Sequence, residues 1–227
     1  MSSVNLVQVI VDIFQAVISG IFVGLIVYWL DERRAKRDRR LSDYRIASNW
    51  ENSKPKPSLR YFDLTKTNLS GYSFVKANLE GTIMKGCAIG GTNFSQANLR
   101  HADFQKSRLV SADFIKATAY KADFSGATIT ASSSSRSPSD FTQAFLKQAK
   151  FIKAHLADAK FIGTDLKAAD FSRATVINCD FSDSDLTDSL WKKVGHVENC
   201  IWRNVTGISP ENFPPNLWKE IQRQNGN

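Results

Sequence analysis

Apolar residues follow two unrelated rhythms along this chain, and the change from one to the other divides it. From Ile13 to Leu30 the sequence IFQAVISGIFVGLIVYWL runs for eighteen residues without a charge. At 1.5 Å per residue, a helix of that length crosses most of a hydrocarbon layer about 30 Å thick. A transmembrane helix is therefore predicted within residues 1–30. A cleaved signal peptide would carry its positive charges before the apolar run, whereas here they follow it, and Tyr28-Trp29 sits at the boundary as an interfacial anchor. Arg33, Arg34, Lys36, Arg37, Arg39 and Arg40 come next, and no Lys or Arg precedes the span. The positive-inside bias then places the N-terminus outside and everything after Leu30 in the cytoplasm.

Within the first segment Asn5, Gln8, Asp12, Gln15 and Ser19 are spaced 3, 4, 3 and 4, which puts them on one helix face. Ala16, Gly20 and Gly24 run beside them as a small-xxx-small row that lets helix backbones approach closely. Both sets are helix-association candidates, and Asp12 is the sharpest, because an ionisable group near hydrocarbon faces a bundle interior or water. The plainer alternative leaves residues 4–12 in the outer interface. Residues 31–58 form a basic neck, helical in pattern until Lys54-Pro55-Lys56-Pro57 breaks it. Its default partner is anionic lipid headgroups, at about 1 kcal/mol per basic residue near a surface.

From residue 64 the rhythm becomes five: Leu64, Leu69, Phe74, Leu79, Met84, Ile89, Phe94, Leu99, Phe104, Leu109, Phe114, Ala119, Phe124 and Ile129. Period five belongs to neither a helix nor a flat strand. A small residue stands two positions before most centres (Ala77, Cys87, Ala97, Ala102, Ala112, Ala122), and Asn or Asp stands one before (Asn78, Asn98, Asp103, Asp113, Asp123). A second run in a shifted frame goes from Phe141 through Leu146, Phe151, Leu156, Phe161, Leu166, Phe171, Val176, Phe181 and Leu186 to Trp191. Searching for internal repeats first exposes this unit, A-(D/N)-(L/F)-x-x.

These residues resemble the pentapeptide-repeat family over about 130 positions. The resemblance implies an all-β solenoid, a right-handed quadrilateral parallel β-helix of about six coils over residues 59–205, with four pentapeptides per coil. The centre and the small residue two before it would point inwards. Stacked coils about 4.8 Å apart pair backbone groups with the coils above and below. Each buried Leu or Phe contributes on the order of 1.5–3 kcal/mol. The family occurs mostly in bacteria, so the resemblance implies a bacterial inner membrane as the setting of the predicted anchor.

Departures from the unit carry further expectations. Phe62 and Tyr72 replace small residues, so the first coil should widen into an N-terminal cap, and Ala119 replaces a large centre, which predicts a thin spot. The twelve-residue step from Ile129 to Phe141 makes 130–139 a serine-rich loop protruding from one corner. Residues 206–227 read as a C-terminal cap, with a short amphipathic segment from Pro215 carrying Leu217, Trp218 and Ile221.

The net charge of +8 and a pI near 9.4 favour anionic partners. Residues twenty apart stack on one side, so Lys66 and Lys106, with Lys85 adjacent, form half a ladder, and Lys153, Arg173 and Lys193 form another. Counting the loop as seven inserted residues aligns the halves. The ladder could engage a polyanion or an acidic protein surface, the alternative being a merely solvated face. The best-known activity that the resemblance brings, mimicry of duplex DNA by acidic rods, has the wrong electrostatic sign here.

Cys87, Cys179 and Cys200 show no disulfide or metal pattern, and His101, His155 and His196 have no partner spacing of a triad or metal site. No catalytic, metal or cofactor residue is assigned, and the chain reads as a non-enzyme. The leading function is a membrane-anchored scaffold or adaptor presenting a partly basic surface to an unknown protein. The alternative is a channel-like oligomer assembled through the N-terminal helix, and nucleic-acid binding ranks last.

Overall fold

The computed structural model describes residues 6–226, with side-chain surroundings from residue 21 onward. The chain forms two compact units, residues 1–42 and 43–227. A single helix, α1 (Leu6–Ser48), supplies most of the first unit and its last turns begin the second. No proline or glycine interrupts it between Gly24 and Ser48, so the helix passes through the basic neck without a break.

The expectation of a membrane-spanning segment is corrected here. Among the described residues no helix is long and apolar enough to cross a membrane. The same helix runs on from Leu30 directly into the charged neck, with Asp31, Glu32, Arg33 and Arg34 following the apolar run. The single-pass inner-membrane placement is overturned by this finding. Asn5 and the side chains of Gln8, Asp12, Gln15, Ala16, Ser19 and Gly20 lie outside the described residues. Gly24 is exposed, with open space around it.

In the second unit the period of five becomes a parallel solenoid of about six turns. Six three-residue strands, β1 (Ala88–Gly90), β2 (Arg108–Val110), β3 (Thr128–Thr130), β4 (His155–Ala157), β5 (Thr175–Ile177) and β6 (His196–Glu198), stack in sequence order on one side. Isolated parallel bridges repeat the same stacking on the other three sides, such as Asp103 with Asp123 and Asn98 with Thr118. Each turn at a corner needs a residue with positive φ, and one recurs every five positions: Lys66 (59°), Lys76 (62°), Gln96 (60°), His101 (58°) and Lys106 (57°) are typical.

Asn or Asp one position before the centre makes that turn affordable. Its side-chain oxygen accepts a hydrogen bond from the backbone N–H two residues on, as Asp103 does from Gln105 (2.8 Å) and Asp123 from Ser125 (2.8 Å). The acidic residues of the repeat are therefore turn devices. Where Thr or Ser fills the small inward slot, its hydroxyl donates to a backbone carbonyl: Thr82 to Leu59 O (2.8 Å) and Ser107 to Met84 O (2.6 Å). No buried side-chain polar atom is left without a partner among the described residues.

The interior consists of four columns. Two are aromatic and face each other. Phe104, Phe124, Phe151 and Phe171 stack at 4.8–5.1 Å, and Phe94, Phe114, Phe141, Phe161 and Phe181 at 4.5–5.0 Å. Between columns the rings meet edge to face, as Phe114 does Phe124 (81°), so both favoured aromatic geometries are used at once. The remaining columns are aliphatic, Leu109, Ile129 and Leu156 in one and Leu79, Leu99, Ala119 and Leu146 in the other. Ala119 stays sealed at 1% exposure.

Both ends are closed. At the start, Ala47 and Trp50 are buried, the Trp50 ring lies 6.0 Å from Phe74, and Phe62 and Tyr72 pack partly buried against the core. The Asp43 carboxylate accepts the N–H of Asp63 at 2.8 Å. At the far end the amphipathic helix α2 (Pro215–Asn225) buries Leu217 and Ile221, and Phe213 continues an aromatic column below Trp191 at 5.9 Å. Gln224 donates to Cys200 O and accepts from the Trp202 N–H, so α2 satisfies backbone groups the last coil would leave bare.

Candidate functional site

The serine-rich loop leaves the corner without disturbing the stack. Thr128 pairs with His155, an offset of 27, where Arg108 pairs with Thr128 at an offset of 20, so seven residues are inserted and the register resumes. Ser111 Oγ donates to Ser137 O (2.6 Å) and accepts from the Ser132 N–H (3.0 Å), and the single hydroxyl proton of buried Ser139 is shared between Leu109 O (3.2 Å) and Thr130 O (3.1 Å). These bonds clamp the two ends of the loop together.

With the register fixed, the basic ladder can be placed. Lys66, Lys106, Lys153 and Arg173 occupy the same positive-φ corner in four of the coils and are all exposed. Gly86 and Gly126 hold that corner in the intervening coils, and a side chain added at either would touch the stem of Lys66 or Lys106 at 3.5–3.6 Å. A second offset, 21 between Thr175 and His196, adds one residue after Trp191. Lys193 consequently falls one place before the corner, in line with Lys85: the carbonyls of both accept from the corner N–H of the coil before, Lys193 from Arg173 (2.6 Å) and Lys85 from Lys66 (2.9 Å). The six residues thus form two adjacent files along one edge. In the first unit, Arg33 stacks on Trp29 (3.6 Å), Lys36 pairs with Glu32 (2.6 Å) and Arg37 lies 3.7 Å from Asp38.

A different side carries a feature that the period alone conceals. Phe145 stands in the slot before the centre, where Asn78, Asn98, Asp165 and Asp185 stand in other coils of the same side, and it is 54% exposed. Together with Arg100, Thr118, Tyr120, Lys147 and Asp165 it lines a shallow depression of about 420 Å³. The Tyr120 hydroxyl donates to Gln148 Oε1 (3.0 Å), and the ring is flanked by His101, edge to face at 5.8 Å, and by Lys121 at 5.1 Å. Sequence reasoning missed this cluster because attention to the repeat went to its inward positions. The available signal was an aromatic in a slot that the other coils of this side fill with Asn, Asp or Thr.

Next along that side, Lys167 Nζ approaches Asp185 Oδ2 at 2.7 Å and Asp165 at 3.9 Å. Partial burial pushes the Asp185 carboxyl up, but hydrogen bonds from Lys167 and Thr187 outweigh it and hold the group below the ordinary carboxylate value. The same hydrogen bond to Asp185 raises Lys167.

A cleft of about 600 Å³ lies between the irregular last coil and α2, bordered by His196, Glu198, Cys200, Leu217, Glu220 and Arg223. His196 and Glu198 lie 3.2 Å apart, and Arg223 is held by Glu220 at 2.8 Å. Cys87, Cys179 and Cys200 are free and buried in inward slots. Burial raises the Cys87 thiol, and hydrogen bonding to Cys200 followed by burial raises Cys179, so neither is poised as a nucleophile. Among the described residues no group of His, Cys, Asp and Glu is arranged to hold a metal ion.

Comparison with known proteins agrees with this architecture. No curated protein sequence matches the chain. Solved structures that are similar include QnrB1, a plasmid-mediated fluoroquinolone resistance protein, at 20% identity over 73% of this chain and 90% of that one, with a TM-score of 0.43. HetL, involved in heterocyst differentiation regulation in the cyanobacterium Nostoc, is 20% identical over 67% of this chain and 91% of its own, with a TM-score of 0.24. Rfr23 from the cyanobacterium Cyanothece is 15% identical over 68% and 97%, with a TM-score of 0.28. At these values none of them informs what this chain binds. The pentapeptide-repeat family profile matches eight copies across residues 58–91, 92–130, 139–167 and 149–188, more than half of the sequence. With the corner turns, the inward columns and that match in agreement, the chain belongs to the pentapeptide-repeat family.

Proposed function

We propose that the solenoid is a non-catalytic protein-binding module whose outer sides hold side chains at fixed intervals for a partner to read. One observation supports this most: the register across the inserted loop keeps Lys66, Lys106, Lys153 and Arg173 on one corner, with Lys85 and Lys193 in the adjacent file. Coils repeat at about 4.8 Å, so the corner presents cations every one or two coils on a backbone bonded to its neighbours above and below. A scaffold or adaptor role fits such a surface, because the interior leaves no slack for rearrangement and recognition must come from side chains on a rigid wall. The positive corner suits an acidic protein face.

The experiment is site-specific photo-crosslinking in the source cells from position 106, with position 76 on another corner as control. The proposal expects a discrete protein adduct at 106 that disappears when Lys66, Lys153 and Arg173 are changed to Gln. Adducts of equal yield from both corners, or none, would overturn it. Duplex DNA binding that falls steeply with salt and surpasses any protein adduct would favour a nucleic-acid ligand instead.

A further inference from the structure

The slot before the centre often holds an Asn or Asp that serves the turn; another side also places exposed Ile83 and Leu190 there, but on the side of Phe145 the other coils hold Asn78, Asn98, Thr118, Asp165 and Asp185. On the side that carries Phe145, Asn78, Asn98, Asp165 and Asp185 each accept the backbone N–H two residues on, at 3.0–3.4 Å. Phenylalanine has no such acceptor, so this coil forgoes the hydrogen bond at Lys147 and in return exposes an aromatic ring to solvent. A local rule broken without a compensating gain inside the fold points to a requirement outside it. The packing of the wall does not supply that gain, since the Phe145 ring is 54% exposed.

What surrounds the ring narrows the occupant. Tyr120 shares the depression, so two aromatic groups form its apolar floor. Arg100, Lys121 and Lys147 stand around it, all exposed, and none of them makes an ion pair among the described residues. The one carboxylate in the lining, Asp165, already accepts the Lys167 N–H at 3.2 Å and lies 3.9 Å from Lys167 Nζ. The rim is therefore positive and the floor apolar. Arg together with Tyr or Phe is also the composition found at the energetic centres of protein interfaces.

We infer that the Phe145–Tyr120 depression is a docking site for an acidic polypeptide segment that inserts one bulky apolar side chain between Arg100 and Lys147. The anchor covers the exposed phenyl ring and neighbouring carboxylates meet the three cations. This rests on the protein-binding reading above but places the contact on a side distinct from the Lys66–Arg173 corner.

The test uses the full-length chain and an array of fluorescein-labelled acidic twelve-residue peptides whose central position is Leu, Phe, Trp or Ser. Peptides with an apolar centre are expected to bind at least about fivefold more tightly than the Ser set, and Phe145→Asn to weaken them about tenfold. Asn restores the acceptor used by the other coils, so that variant keeps the fold, and Phe145→Ala serves as a second check. Arg100→Gln with Lys147→Gln should reduce affinity and flatten its salt dependence. Lys106→Gln with Lys153→Gln should change it less than about twofold. Equal binding of Ser and apolar peptides, indifference to Phe145→Asn, or tighter binding of duplex DNA at the same cations would each overturn the assignment. Failure of every peptide while crosslinking from position 106 still captures a protein removes this site and leaves the protein-binding reading standing. Failure of both removes both.

Discussion

The inside and the outside of this solenoid obey the same period but are under different constraints. Inward, one coil could nearly be exchanged for another: Phe104, Phe124 and Phe151 fill the same place and stack within 4.8–5.1 Å. Outward, positions with identical backbone geometry hold Asn98, Thr118, Phe145 and Asp165 in consecutive coils of one side. Stability is therefore shared among near-equivalent interior parts, whereas identity is written in a few exceptions on the wall. A residue's importance for folding and for recognition can be separated here, which is seldom so where one core serves both.

The sharpest way to break that contrast is from within. Phe114 touches rings in its own column, Phe94 at 5.0 Å and Phe141 at 4.5 Å, and Phe104 and Phe124 across the core. Phe114→Ala should cost about 3–5 kcal/mol in denaturant unfolding while leaving the outer wall chemistry untouched. A loss under about 1 kcal/mol would mean that the stack is slack. From without, Phe145→Asn should leave stability unchanged or raise it by up to about 1 kcal/mol, because an acceptor for the Lys147 N–H is regained. A large loss there would place Phe145 with the core after all.

The smallest effect concerns pH. Asp185 lies below its ordinary value when folded, so its contribution is complete above the unfolded value, near 4, and is lost as pH falls through the folded one. Thermal melts between pH 5 and pH 2 should show Lys167→Met with a shallower fall than the parent, since its hydrogen bond to Asp185 is the main opponent of burial there. Identical slopes would make the pair ornamental, as exposed pairs often are.

Much of the fold was legible because the period of five leaves each inward position no freedom. The seven-residue insertion could be counted from the frame shift between Ile129 and Phe141, and Phe62 and Tyr72 stood out as too large for the inward slot, where they pack partly buried against the core. The apolar run before Leu30 misled because its length without charge was taken as a whole element, whereas it is one stretch of a helix that continues through the charged neck to Ser48, and among the described residues no helix is long and apolar enough to cross a membrane. The extra residue after Trp191 was hidden by the decay of the repeat, so Lys193 was set on the corner when it belongs one place earlier. Phe145 was missed for a related reason. Periodicity makes the regular residues conspicuous, and a binding surface resides in the irregular ones.

The clamp at Ser111, Ser132, Ser137 and Ser139 means that the chain can change length at this corner without any neighbouring coil being informed of it. The segment between is thus a natural socket: a tag or a small folded insert spliced between Ser134 and Ser135 would hang from the wall like a bracket. Such a handle would let the molecule be immobilised or labelled from a corner that shares neither the lysine files nor the Phe145 depression.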